Sequence, residues 1–158
     1  VRCGSGLGEY SATVNALEPN VTYYFKAYAT NSAGTSYGLT LSFTTLKALP
    51  QPSCEMSIND ITENSVKVSF EIASAGGCDV TGAGVYLVAE DLSESRIPGE
   101  VNGNVVVVIV DGLKPASKYV LHAYVVNEVG EVRSEQGHGF RTDSSGNSEG
   151  FGSNDYEW

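Results

Sequence analysis

Positive charge is scarce in this sequence. Lys and Arg number 9 against 19 Asp and Glu in 158 residues, a formal net charge of −10, and no three basic residues lie together. Proteins that bind nucleic acid neutralise phosphates with clustered Lys and Arg, so the charge pattern argues against nucleic acid as a ligand. Anionic membrane surfaces are disfavoured for the same reason. Long apolar runs are missing too. The longest, Val105 to Val110, has the length of one strand, whereas a membrane helix takes about 20 residues, so no membrane insertion is expected of this segment. Histidine is limited to His122 and His138. A nucleophile needs a base and a group that orients it; with only these two bases near neutrality and no Gly-x-Ser-x-Gly elbow, no catalytic residues are expected. Cysteine is limited to Cys3, Cys54 and Cys78, without the C-x-x-C spacing of zinc or redox sites. No EF-hand spacing occurs, and no metal or cofactor is implied.

What the chain does contain is glycine (18), tyrosine (9) and much Val and Thr. These favour turns and strands, and no segment has helical periodicity. The class is all-β. The length leaves room for one sandwich domain of about 100 residues and part of another.

A repeat organises it. Leu17-Glu18-Pro19-Asn20-Val21-Thr22-Tyr23-Tyr24-Phe25-Lys26-Ala27-Tyr28-Ala29-Thr30-Asn31 recurs as Leu113-Lys114-Pro115-Ala116-Ser117-Lys118-Tyr119-Val120-Leu121-His122-Ala123-Tyr124-Val125-Val126-Asn127. Each copy is followed by a Gly and then by Ser-Phe-Thr-Thr (Ser42 to Thr45) or Gly-Phe-Arg-Thr (Gly139 to Thr142). The pattern Leu-x-Pro-x-x-x-Tyr, alternating apolar residues, then Asn, resembles the E–F corner of fibronectin type III domains. The resemblance implies an immunoglobulin-like β-sandwich in which Tyr119 buries its ring and returns its hydroxyl to a turn backbone group. The stretch Ala27 to Gly38 looks more like bacterial surface-protein versions than animal ones. Phe70 stands where animal relatives carry a buried Trp.

Alternation predicts that Tyr119, Leu121, Ala123 and Val125 face the core, with Val120, His122, Tyr124 and Val126 outward. Strands are predicted near 53–59, 65–72, 80–89, 95–100, 104–111, 117–127 and 132–142, forming one complete domain over 53–142. Before it, residues 1–45 supply only the last strands of another domain, near 10–16, 22–31 and 36–45, which would leave that half marginal or open-faced. Val1 falls inside a β pattern, so the chain reads as continuing upstream. Residues 46–52 read as a short, stiff linker with two prolines. Residues 143–158, rich in Ser, Gly, Asn and acid and without Lys or Arg, read as a disordered acidic tail.

Candidate sites are few. Cys54 and Cys78, in the same expected domain, are placed to form a disulfide, leaving Cys3 to a partner outside the chain in hand; the alternative is three free thiols. Glu90, Asp91, Glu94 and Glu100 read as a solvated face rather than a glycosidase pair. Gly4, Gly6 and Gly8 mimic a phosphate loop, but no helix follows them. Asn20-Val21-Thr22 fits a glycosylation sequon. Val105, Val107 and Ile109 form an outward apolar strip on a possible edge strand, which reads as an interaction surface covered by a neighbouring domain, the tail or a partner. Tyr24, Tyr28 and Tyr124 are weak glycan candidates on outward strand positions. The resulting expectation is a non-catalytic extracellular module, a spacer or adhesion repeat of a bacterial surface protein, its partners being neighbouring domains and a protein or glycan ligand. The alternative is an accessory or carbohydrate-binding domain of a secreted polysaccharide-degrading enzyme.

Overall fold

The computed structural model describes residues 1–145. Its regular elements are all strands, and the chain divides into two compact units between Lys47 and Ala48.

The first unit holds β1 (Thr22–Phe25), β2 (Tyr28–Asn31), β3 (Gly34–Tyr37) and β4 (Leu41–Thr44), with β1 paired to β4 and β2 to β3. The two expected strands 22–31 and 36–45 are thus each split in two. Between the halves, the Gly38 N–H bonds to the Ala27 carbonyl (2.8 Å). The corner beneath these strands is well built. Tyr23 Oη accepts from the Glu18 N–H (2.9 Å), and Thr45 Oγ1 donates to the Glu18 carbonyl (2.6 Å) while accepting from the Val21 N–H (3.0 Å). Tyr23 and Phe25 both lie against Phe43, with ring centroids 6.0 Å apart in each pair. Residues 10–16, expected as a strand, form no ladder.

The second unit is a two-sheet sandwich. One sheet has the order β5 (Gln51–Asn59), β6 (Ser65–Ser74), β10 (Val105–Asp111), β9 (Glu100–Asn102). The other has the order β12 (Glu131–Arg133), β11 (Lys118–Asn127), β7 (Val80–Ala89), β8 (Glu94–Pro98), and β13 (His138–Arg141) also pairs with β11. Alternation places Val66, Val68 and Phe70 of β6 and Val106, Val108 and Val110 of β10 inward. They meet Val85, Tyr119, Leu121, Val125 and Phe140 from the opposite sheet. Burying each such side chain contributes about 1.5–3 kcal/mol. The Tyr119 corner reproduces that of Tyr23 bond for bond: Oη accepts from the Lys114 N–H (2.9 Å), and Thr142 Oγ1 donates to the Lys114 carbonyl (2.6 Å) and accepts from the Ser117 N–H (3.0 Å).

Two boundaries differ from the sequence reading for visible reasons. The single strand expected over 95–100 is two strands in different sheets, because the chain crosses the sandwich at Gly99. A Cβ there would meet the Val107 carbonyl at 2.8 Å, closer than real side chains come. The strand expected over 132–142 breaks into β12 and β13. Ser134 interrupts the ladder, its N–H bonding to the Ala123 carbonyl (2.8 Å) and its Oγ accepting from the Ala123 N–H (3.0 Å).

The stretch expected as a linker is partly built into the second unit. Pro50 is buried, Gln51 and Pro52 belong to β5, and the Ala48 N–H donates to the Gly76 carbonyl (2.9 Å). Buried Asn127 organises this end. Its Nδ2 donates to the carbonyls of Ala48 (2.8 Å) and Ala75 (2.9 Å), and its Oδ1 accepts from the N–H groups of Val129 (2.9 Å) and Gly130 (3.1 Å). The expected tail lies, beyond residue 145, outside the described residues.

Candidate functional site

The outer face of the sheet β12–β11–β7–β8 carries a group of charged and aromatic side chains in mutual contact. Register assembles it. Tyr86 on β7 stands opposite Arg96 on β8, and Tyr124 on β11 stands between Gly84 of β7 and Arg133 of β12. Strand alternation sends all of these side chains to one face. The Arg96 guanidinium sits 3.9 Å from the centre of the Tyr124 ring, and that of Arg133 sits 4.8 Å from the Tyr86 ring. The two rings are 5.2 Å apart. Glu131 joins the layers, accepting from Tyr86 Oη (2.6 Å) and pairing with Arg96 (2.9 Å), while Arg133 pairs with Glu94 (2.6 Å).

Gly84 makes room for this stack. A Cβ there would collide with the Ile97 carbonyl and come within 2.8 Å of Tyr124 Oη. The large ring of Tyr124 thus lies over the cross-strand glycine.

The electrostatics follow from these contacts. The Tyr86 hydrogen bond, reinforced by Arg96, holds the Glu131 carboxyl below its ordinary value despite some burial. Hydrogen bonding to Glu131, with some burial, raises the Tyr86 hydroxyl. Burial raises that of Tyr124. Chemically the arrangement is self-satisfied. The Glu131 carboxylate is already bound to a phenol and a guanidinium.

Tyr124 was expected outward and available to a glycan. It is outward, but only 1% exposed, because Arg96 roofs its ring and Tyr86 flanks it. That candidate is overturned. Tyr24 and Tyr28 are exposed as expected. Strand β10 is paired by β6 along its whole length on one side and by β9 at Val105 to Val107 on the other. Of its outward residues Val105 and Val107 are half-buried, and only Ile109 is well exposed.

Cys54 and Cys78 are free thiols, as is Cys3. Cys54 lies on β5, three residues in from Gln51, which pairs with Ser74; that is about 10 Å along the strand. Cys78 lies beyond Ser74 in the following turn, its Sγ 3.9 Å from the carbonyls of Ala75 and Gly76. A bridge takes Cα atoms within about 7 Å, so the expected disulfide is not formed.

The remaining candidates are taken up locally. His122 Nδ1 meets the Ser134 carbonyl (2.9 Å), and His138 Nε2 meets that of Cys54 (3.0 Å). Among the acids, Asp91 bonds to the Ser93 N–H (3.0 Å) and hydroxyl, which lowers its carboxyl from the ordinary value, and Glu94 pairs with Arg133. Among the described residues no cluster of three or more His, Cys, Asp or Glu is set to hold a metal. The Gly4, Gly6 and Gly8 segment forms bends with no helix after it. Asn20, in the sequon, turns the first corner with φ 56°.

Sequence reasoning passed over Tyr86, Arg96, Glu131 and Arg133. Their outward parity was readable, but which strand neighbours which was not.

Residues 50–139 match the family described as Fibronectin type III domain, more than half of the chain. Among solved structures, the crystal structure of titin domains A168–A170 is similar, with 20% identity, a TM-score of 0.54, and coverage of 82% of this chain and 44% of that one. The crystal structure of the chicken CNTN1 FN1–FN3 domains is similar with 19% identity, a TM-score of 0.51, and 81% and 44% coverage. This chain thus spans less than half of each of those two. A structure described as a myokine is similar with 19% identity and a TM-score of 0.50, over 61% of this chain and 99% of that one. At these identities the likenesses are likenesses of fold.

Proposed function

Because the chain belongs to the fibronectin type III domain family, we propose that it serves as a non-catalytic extracellular module, a spacer or adhesion repeat of a bacterial surface protein. The observation that carries this reading is the corner built twice in one chain, at Tyr23 and at Tyr119, with the same hydrogen bonds. Repetition of one structural unit suits a molecule whose task is reach or multivalent contact rather than chemistry. The side chains best equipped for chemistry, Glu131, Arg96 and Tyr86, are engaged with one another.

The carbohydrate-binding alternative loses Tyr124 to burial and keeps Tyr24 and Tyr28. Two measurements separate the readings. Antibody against this chain is expected to stain intact, unpermeabilised cells that produce it; staining only after permeabilisation refutes the extracellular placement. Purified chain is expected to pass unretained over cellulose, chitin and xylan. Retention abolished by Tyr24→Ala or Tyr28→Ala transfers the function to the carbohydrate-binding reading.

A further inference from the structure

Asn102 is followed by Gly103, the one Asn-Gly pair in the sequence. Asparagine is among the thermolabile residues, because the peptide nitrogen that follows it can attack its side-chain amide carbon. A side chain on the following residue hinders that attack, and glycine has none. The pair is reactive by composition, and folding decides whether it is also accessible.

The structure leaves it open. Asn102, Gly103 and Asn104 are exposed at the tip of the β9–β10 hairpin, where Asn102 pairs with Val105. Gly103 takes φ 66°, as the first central position of a two-residue hairpin loop requires. A Cβ there would meet nothing within 4 Å. Among the described residues no hydrogen bond engages the Asn102 side chain or the Gly103 N–H. Other asparagines are held or screened. Asn31, Asn64 and Asn127 each accept a hydrogen bond at Oδ1. Asn104 precedes the branched side chain of Val105, which is stiff and crowds the peptide between them.

We propose that Asn102–Gly103 is a self-modification site, at which deamidation to isoaspartate releases β9 from the edge of β10. The Gly103 nitrogen bonds to Cγ of Asn102, the Cγ–Nδ2 bond breaks, and ammonia leaves with the Gly103 proton. Water then opens the cyclic imide. Opening at Cγ gives aspartate. Opening at the main-chain carbonyl of Asn102 gives isoaspartate, whose main chain runs through Cβ and Cγ and is longer by one methylene. The sum is amide plus water to carboxylic acid plus ammonia, with nothing oxidised or reduced.

The consequence falls on β9 because little holds it. It is three residues long and ends its sheet, paired there with β10 alone. A two-residue loop sets the register of its hairpin, so it cannot absorb an added methylene. The β10 side of the turn is fixed, by the Asn104 carbonyl accepting from the Ile72 N–H (2.7 Å) and by pairing with β6 along the whole strand. The β9 side yields. That leaves Val105 to Val107 without their partners on one side, an apolar edge of the kind that recruits another strand. The proposal goes beyond the functional reading above and holds for a spacer and a glycan binder alike.

The test ages the full chain in mildly alkaline buffer and follows it by mass spectrometry and by isoaspartate methyltransferase labelling. The mass gain of amide-to-acid conversion is expected at Asn102 ahead of Asn15 and Asn104, and the label is expected to disappear in Asn102→Gln. Isoaspartate chain, separated by ion exchange, is expected to exchange the amides of β9 on the order of tenfold faster than fresh chain, with β11 unchanged. Asn102→Asp carries the same added charge on a main chain of ordinary length and is expected to keep its protection. Conversion at Asn102 no faster than at Asn15 and Asn104 overturns the site. Isoaspartate that leaves β9 protected, or an equal loss of protection in Asn102→Asp, overturns the release.

Discussion

One chain contains the same corner twice, once with a core above it and once without. Tyr23 and Tyr119 make the same hydroxyl bond, Thr45 and Thr142 the same pair of bonds. Most of the large exposed hydrophobics nevertheless belong to the first unit. The comparison separates two kinds of information. Corner geometry is set within a few residues and by one returning strand, and it forms without an opposing sheet. Burial depends on strands far along the chain, and no local sequence supplies it.

The largest effect sharpening this contrast comes from the matched pair Leu121 and Phe25, at equivalent strand positions. Leu121 is fully buried, and Leu121→Ala is expected to cost about 2–5 kcal/mol by denaturant titration. Phe25→Ala, at an exposed site, is expected to change stability by no more than about 0.5 kcal/mol. Equal losses would break the comparison. Next comes Asn127→Ala, which leaves the buried carbonyls and N–H groups around it unpartnered, at a cost of about 1–3 kcal/mol. In the first unit Asn31 makes the turn bond to the Ala33 N–H (2.9 Å) at an exposed site, so Asn31→Ala should be nearly silent in the same titration.

Tyr119→Phe removes an acceptor from a half-buried N–H and is expected to cost about 1 kcal/mol; Tyr23→Phe, where water can substitute, is expected to cost less. The smallest effect is that of Glu131→Gln, an exposed pair contributing about 0–1 kcal/mol. Its signature is pH. The Glu131 carboxyl is held low in the folded chain, so its contribution is complete above the ordinary carboxylate pKa and is lost as pH falls through the depressed folded value. The gap in melting temperature between parent and Glu131→Gln should therefore close on acidification. A gap that persists at low pH assigns the effect to packing.

Much of the fold could be read from the sequence because its signals are local. The Leu-x-Pro-x-x-x-Tyr spacing places the Tyr hydroxyl five residues after its partner N–H, and the alternation of Val106, Val108 and Val110 states its own parity. The outward position of Tyr124 was legible for the same reason. Its burial was not, because the roof comes from Arg96 and the space from Gly84, on strands whose adjacency only the sheet order reveals. On β10 parity was right, and what alternation could not show is that β9, a strand of only three residues, pairs with the edge at Val105 to Val107, while Ile109 stays exposed. The disulfide failed on register along β5, which cysteine spacing does not encode.

Asn127 has a mechanical consequence. Tension transmitted into the second unit from its N-terminal side arrives at Ala48, and there the backbone is gripped by one amide that also grips Ala75 and the turn at Val129 and Gly130. Load is shared between two loops before it reaches the first strand pair. In a module under tension this side chain would act as a clutch: together with the Ala48 N–H bond to the Gly76 carbonyl, it must let go before β5 can peel from β6.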